Sequence, residues 1–304
     1  MPASLRATLI IAAASVCFGL VPLFGRVLLD AGLSAEAIAL YRFGLALPLA
    51  LVWLPRRRAA ICPVVALAGA GMAGGLGWTT YLAAVEHVAV ASAGVLYMSY
   101  PLFVVVLAWL LAGQPVTGRS AVGAALVLAG AFVVNAPGAL AGGQWPVLLS
   151  SLPAPAGFAL IVVVLASVGH ELSTLERWSA ICAGHVAGLL PAALLADGGA
   201  LLPATATGWA WVGALAGVTA TIPQLLFTLA ARSVSPARTA AAGAAELPTM
   251  LAVGWIAFGE AVGVREIVGA TLVIAAILVT PAIASGGRAG LLVRLARRPG
   301  TVGG

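Results

Sequence analysis

Tyr81-Leu82-Ala83-Ala84, followed by Tyr100-Pro101, returns 147 positions later as Thr228-Leu229-Ala230-Ala231, followed by Leu247-Pro248. After a slip of one residue, Gly113-Gln114, Arg119 and Gly123 return 146 positions later as Gly259-Glu260, Arg265 and Gly269. The chain reads as two copies of one design. Each copy holds five apolar segments, and a unit with an odd number of membrane crossings must set its second copy upside down. The expected fold is an all-α membrane protein of ten transmembrane helices, built as two inverted five-helix repeats.

Composition requires the membrane. Apolar residues make up 62% of the 304-residue chain and charged residues 8%, with a mean hydropathy of +1.12. A water-soluble domain carries about 45–50% apolar and about 25% charged residues, so no soluble fold could cover this much oil. The net charge of +6 does not signal nucleic acid, because the arginines lie in short loops between apolar segments. Cys17, Cys62 and Cys182 are odd in number and widely spaced, which argues against a disulfide framework. The apolar run from Arg6 to Leu29 is followed by many more and reads as a first membrane helix, not a signal peptide.

A helix needs about 20 apolar residues to cross the hydrocarbon core. Ten segments qualify: 7–29, 33–54, 62–85, 89–112, 119–136, 146–169, 174–196, 208–231, 236–258 and 265–284. Turn residues separate them at Pro55-Arg56-Arg57-Arg58, Gly113-Gln114-Pro115, Gly138 to Gly143 and Asp197-Gly198-Gly199. With a cytoplasmic N-terminus, that side receives twelve arginines and the far side only Arg26 and Arg265, while Arg42 falls within a span. Such a bias places both termini in the cytoplasm of a multi-pass inner (plasma) membrane protein. The expected units are 1–140 (spans one to five), 145–285 (spans six to ten) and a cytoplasmic basic tail, 286–304. In that tail, Leu291 to Arg298 reads as an anchor on anionic lipid.

Three ionisable residues fall near the middle of spans: Arg42 in the second, His185 in the seventh and Glu246 in the ninth. A charge at that depth costs roughly 2.5–3.5 kcal/mol on insertion scales, so each must face an internal cavity or another charge. Arg42 and Glu246 either neutralise one another as a structural pair or form a site for substrate and proton. A buried carboxylate loses affinity for its proton when a cation approaches, which suits Glu246 to competition between proton and substrate. His185 reads equally well as a neutral imidazole bonded to a helix carbonyl. Pro101 and Pro248, at matched positions of the two halves, are expected to kink their helices around a central site, and Pro22, Pro48, Pro191 and Pro223 interrupt other spans. Trp78, Tyr81, Tyr97, Tyr100, Gln224 and Trp255 are candidates to line that site; the alternative for each is packing or an interface belt. The pairs Gly71/Gly75, Gly184/Gly188 and Gly213/Gly217 are GxxxG faces for close helix approach.

Phe18-Gly19, Tyr41-Arg42-Phe43, Ser99-Tyr100-Pro101 and, above all, Glu246-Leu247-Pro248 with Gly259-Glu260 resemble the EamA-like family of the drug/metabolite transporter superfamily over nearly the whole chain. The resemblance implies two inverted EamA repeats, a central cavity, proton coupling and export of small metabolites such as amino acids or their relatives. Three features depart from the family: Gly113-Gln114 where many relatives have Gly-Glu, Pro153 and Pro155 in a sixth span without the usual tryptophan, and His185 in place of a glutamine. Gln114 and Glu260 lie at membrane borders and read as caps or interface groups, not ligands.

The expected function is therefore secondary transport, with a small molecule, protons and the bilayer as partners and no nucleic acid. The protein is expected to be a monomer or homodimer, without metal or cofactor. Uptake by the same fold is an alternative direction. A membrane-embedded enzyme would want a motif such as His-Glu-x-x-His or Gly-x-Ser-x-Gly, and neither occurs. A channel would want a ring of charge or a carbonyl filter, and no such pattern repeats.

Overall fold

Prolines divide the apolar segments of this protein, a computed structural model describing residues 3–113, 116–134, 144–195, 200–230, 242–243 and 245–279. The first segment is α1 (Ala3–Gly19) and α2 (Val21–Asp30), broken just before Pro22. The second is α3 (Ala35–Gly44) and α4 (Leu47–Trp53), broken before Pro48. A 3₁₀ turn, Arg58–Ala60, leads into the long α5 (Ile61–His87). Then come α6 (Val90–Tyr97), α7 (Tyr100–Ala112) with Pro101 in its first turn, and α8 (Gly118–Val134). The second half holds α9 (Gln144–Ser150), α10 (Pro153–Ser167), α11 (Thr174–Leu194) and α12 (Ala206–Ala216). It ends with α13 (Ile222–Ala230), α14 (Glu246–Phe258) and α15 (Val264–Val279). Proline is harmless in a first turn, where its missing N–H has no partner to lose, so each break falls just ahead of one. Pro191 is the exception, because α11 runs through it.

Among the described residues there is no strand, and the one β-bridge joins Leu33 to Ala200. Among the described residues, six helical stretches are long and apolar enough to cross a membrane, and Ala121–Val134 and Glu246–Phe258 are shorter apolar helices. The basic tail, the turns at Gly138 to Gly143 and Asp197 to Gly199, and Gln114-Pro115 lie outside the described residues.

Local chemistry sets the helix ends. Ser173 and Glu176 form a capping box at the start of α11, each side chain bonding the other's backbone N–H (3.3 and 2.7 Å). Ser34 and Thr205 cap α3 and α12 in the same manner, without the reciprocal acid. α7 and α14, each 13 residues long, both close on a left-handed glycine, Gly113 (φ 67°) and Gly259 (φ 64°).

α5 is the axis of the bundle, packed against α10 and α11. Its Gly71 and Gly75 lie against Gly184 and Gly188 of α11 as a shared seam. A Cβ at Gly75 would sit 2.7 Å from the His185 carbonyl oxygen, and one at Gly188 would sit 2.6 Å from that of Met72. Gly71 and Gly184 approach Ile181 and Ala68 backbone more closely still. Gly213 and Gly217 behave differently: nothing lies within 4 Å of a Cβ at either, so this GxxxG pair is not a packing face. Elsewhere α8 packs on α15, α1 on α13 and α14, α7 on α10, and α6 on α14. Leu128, Phe132, Leu194, Ile256 and Val264 are exposed on the outside of the bundle. An outer wall this apolar suits lipid and would be a liability in water.

Candidate functional site

The local event that shapes the site is a flaw in a helix. α12 and α13 are joined by a π-helical turn, Gly217–Thr221, just ahead of Pro223. Proline has no N–H to offer the carbonyl four residues back and its ring pushes that carbonyl aside. The carbonyl four residues before Pro223 belongs to Thr219, and it accepts a 2.8 Å hydrogen bond from Nη2 of Arg42 on α3. The carbonyl that Pro223 cannot serve thus meets the buried arginine. π-bulges recur at functional positions for this reason.

Arg42 is 2% exposed, and its guanidinium carbon lies over Trp78 of α5, 3.9 Å from the ring centre, with Phe43 at 5.0 Å. Trp78 continues into a cluster of rings: Tyr81 at 5.2 Å, Tyr97 at 5.4 Å, and Tyr97 on to Tyr100 at 6.2 Å. Phe158 of α10 closes it, 5.1 Å from Tyr100 and edge-on to it. Four candidates, Trp78, Tyr81, Tyr97 and Tyr100, therefore come together, all buried.

Glu246 opens α14 and is 4% exposed. As the first helical residue its carboxyl sits at the positive end of the helix dipole. Gly19 of α1 makes room for that turn: a Cβ there would lie 2.7 Å from the Glu246 carbonyl oxygen. Arg42, Tyr81, Tyr97 and Tyr100 are all close enough to feel the Glu246 charge. Yet no ion pair joins Glu246 to Arg42. Glu246 Oε1, Arg42 Nε and Nη1, Tyr81 Oη and Ser99 Oγ are buried polar atoms without a hydrogen-bond partner. A buried polar atom left unpaired costs about 1–3 kcal/mol, more for a charged one, so a knot of five is not a device for stability.

The other candidates lie elsewhere or take plainer roles. His185 stacks on Phe43 (4.0 Å, 19°), and its Nδ1 lies 2.9 Å from the Ile181 carbonyl of its own helix. A carbonyl only accepts, so Nδ1 carries the proton, and the imidazole is bonded as a buried histidine ordinarily is. Gln224 is half-buried in α13. Trp255 is 62% exposed on the outer face of α14 and does not line the site; the aromatic signal alone could not separate a lining ring from a lipid-facing one. Pro101 is buried and Pro248 exposed, so the matched prolines share a position in their helices but not an environment. Glu260 takes the first of its two expected roles, a cap, since Oε1 accepts the Val90 N–H at the start of α6 (2.9 Å). Thr219, Ser99, Phe158 and Gly19 were not among the candidates; counting four back from Pro223 would have found Thr219.

The apolar outer wall, the apolar helices and the buried polar cluster define the class: an all-helical, multi-pass membrane protein. Residues 5–136 match the EamA-like transporter family, which belongs to the drug/metabolite transporter superfamily. No curated protein matches it. Among solved structures it is similar in fold to a protein of known crystal structure, over 90% of this chain and 96% of the other, with a TM-score of 0.64 and 16% identity.

Proposed function

We propose that the protein is a secondary carrier that exports a small metabolite across the inner membrane by alternating access, with Glu246 exchanging a proton for substrate. The observation that carries this reading is the unpaired, buried Glu246–Arg42–Tyr81–Ser99 cluster inside an apolar bundle. Ionisable groups at membrane depth are retained for function, and Glu246 Oε1 with two of the three Arg42 nitrogens has no partner in the protein.

The ten-helix, two-unit organisation over 1–140 and 145–285 is part of the same reading. It is supported by the equal lengths and matched glycine ends of α7 and α14. It is supported also by the packing, where contacts of one half have counterparts in the other: α5 on α10 with α13 on α1, α5 on α11 with α12 on α3, α7 on α10 with α14 on α1. Loops assigned to one side of the membrane touch one another. Arg57 bonds Glu176 on the cytoplasmic side, while Arg26 bonds the Val85 carbonyl, Gln144 that of His87, and Glu260 the Val90 N–H on the other. Discontinuous helices whose N-termini lie at mid-depth, as at Tyr100 and Glu246, are where carriers of this architecture hold their cargo.

The test is flux in proteoliposomes with an imposed pH gradient. Glu246→Gln keeps the shape of the side chain and removes its titration, so it should abolish gradient-driven flux while the protein still inserts and elutes as a single species. Gradient-driven flux at the wild-type rate in that variant would exclude Glu246 from coupling. Flux that rises without saturation would replace the carrier with a channel.

A further inference from the structure

We propose that Glu260 is the latch of the carrier's far-side mouth: it joins the two halves by capping α6 while that mouth is closed, and it releases α6 when the mouth opens. The proposal rests on the carrier reading and adds to it a residue that biases the balance between its two states.

Glu260 lies in the second half and Val90, whose N–H it accepts, in the first, 170 residues away. The cap falls where one is wanted. α6 starts after Ala89, which has no side chain to offer the first turn, so its N–H groups depend on what other elements bring. The turn after α14 is shaped to deliver the acid. Gly259 adopts a left-handed conformation, the Glu260 N–H bonds the Gly254 carbonyl at 2.9 Å, and the carboxylate folds back over Gly254, where a Cβ would stand 2.5 Å from Oε2. A carboxylate is a strong cap for such an end, since it brings negative charge to the positive pole of the helix.

The two helices so joined are ones that carry the site. α14 starts at Glu246 and ends just before Gly259-Glu260, while α6 starts at Val90 and ends at Tyr97, with Ser99 two residues on. They cross closely at Gly94, where a Cβ would lie 2.9 Å from Met250 Sδ. Arg26 of α2 adds a weaker tie at the same end, bonding the Val85 carbonyl at 2.9 Å with its guanidinium carbon 5.6 Å from the centre of the Phe258 ring. Access to Glu246 from the far side requires the end of α14 to leave the start of α6, which breaks the Glu260–Val90 bond. That bond is only partly buried, so water can replace it as the mouth opens. A contact made in one of two states shifts their equilibrium by its own strength. Loss of the Glu260 side chain should therefore favour far-side opening about fivefold or more, the scale of one helix cap.

The experiment uses the full-length protein in membrane vesicles of defined orientation, with Cys17→Ala, Cys62→Ala and Cys182→Ala as background and Ser99→Cys as reporter. Ser99 is 4% exposed and belongs to the buried polar cluster, so a membrane-impermeant thiol reagent reaches it only through an open mouth. In right-side-out vesicles, adding Glu260→Ala should speed labelling about fivefold or more. In inside-out vesicles labelling should not rise, because a protein that opens more to one side opens less to the other. Glu260→Gln keeps an acceptor oxygen without the charge; it should lie between the two, and it decides the matter if Glu260→Ala fails to insert. Far-side labelling that ignores these substitutions overturns the proposal, as does labelling that rises alike from both sides, which is loosening of the fold. The carrier reading is read separately from the reporter protein with Glu260 intact. Rapid labelling from both sides marks an open pore and removes the carrier, whereas one-sided labelling that does not respond to Glu260→Ala removes the latch alone.

Discussion

Arg42 shows how a single residue is positioned by a defect elsewhere in the chain. Its guanidinium is held by the Thr219 carbonyl and the Trp78 ring. A cation–π contact is worth about 0.5–2 kcal/mol depending on desolvation, and this one is buried. Trp78→Ala should therefore weaken ligand affinity about tenfold, measured as a rise in the half-saturating concentration for counterflow, while the protein remains folded. Gly19 is the second point of leverage. A Cβ there meets Thr249 and the Glu246 backbone, so Gly19→Val should shift the first turn of α14 and suppress transport more than it reduces membrane insertion.

At the scale of elements, the π turn and the glycine seam do different work. Pro223→Ala restores an N–H that can recapture the Thr219 carbonyl, and interior proline costs a helix about 3 kcal/mol. The variant should melt at the same temperature as wild type or higher, yet transport poorly, because Arg42 loses its acceptor. Stability and activity moving together would show that the turn is only a packing feature. The α5–α11 seam gives the opposite case. Gly184→Val drives a side chain into the Ala68 backbone, and overpacking of this kind costs about 1–3 kcal/mol or more. It should lower the yield of folded protein, whereas Gly213→Val, with open space around it, should be silent in a size-exclusion and melting assay. The sequence presented both as the same GxxxG pattern, and only the neighbours distinguish them.

For the whole molecule, the decisive question is which loops share a side of the membrane. Cys62 is exposed, Cys17 partly so, and Cys182 buried. A membrane-impermeant thiol reagent should label Cys62 in inside-out vesicles and spare it in right-side-out ones, and the reverse labelling would invert the proposed topology. The Arg57–Glu176 pair (2.6 Å) ties the turn before α5 to the start of α11, but Arg57 is 51% exposed and Glu176 17%. Exposed pairs contribute about 0–1 kcal/mol, whereas the capping box that also uses Glu176 contributes about 1 kcal/mol. Glu176→Ala should accordingly destabilise more than Arg57→Ala in a thermal melt.

The sequence by itself determined the medium and the helical class, because apolar content and segment length are properties of the chain read in order. It also singled out Arg42 and Glu246 as ionisable residues within long apolar segments. It could not say that the two remain apart, that His185 is satisfied within its own helix, or that Trp255 faces outward while Trp78 lies beneath a guanidinium. A helix has two faces of nearly equal hydropathy in lipid, so periodicity carries little information about which side is inward. Only tertiary structure decided those matters, by bringing a carbonyl freed on α12–α13 within 2.8 Å of an arginine 177 residues away.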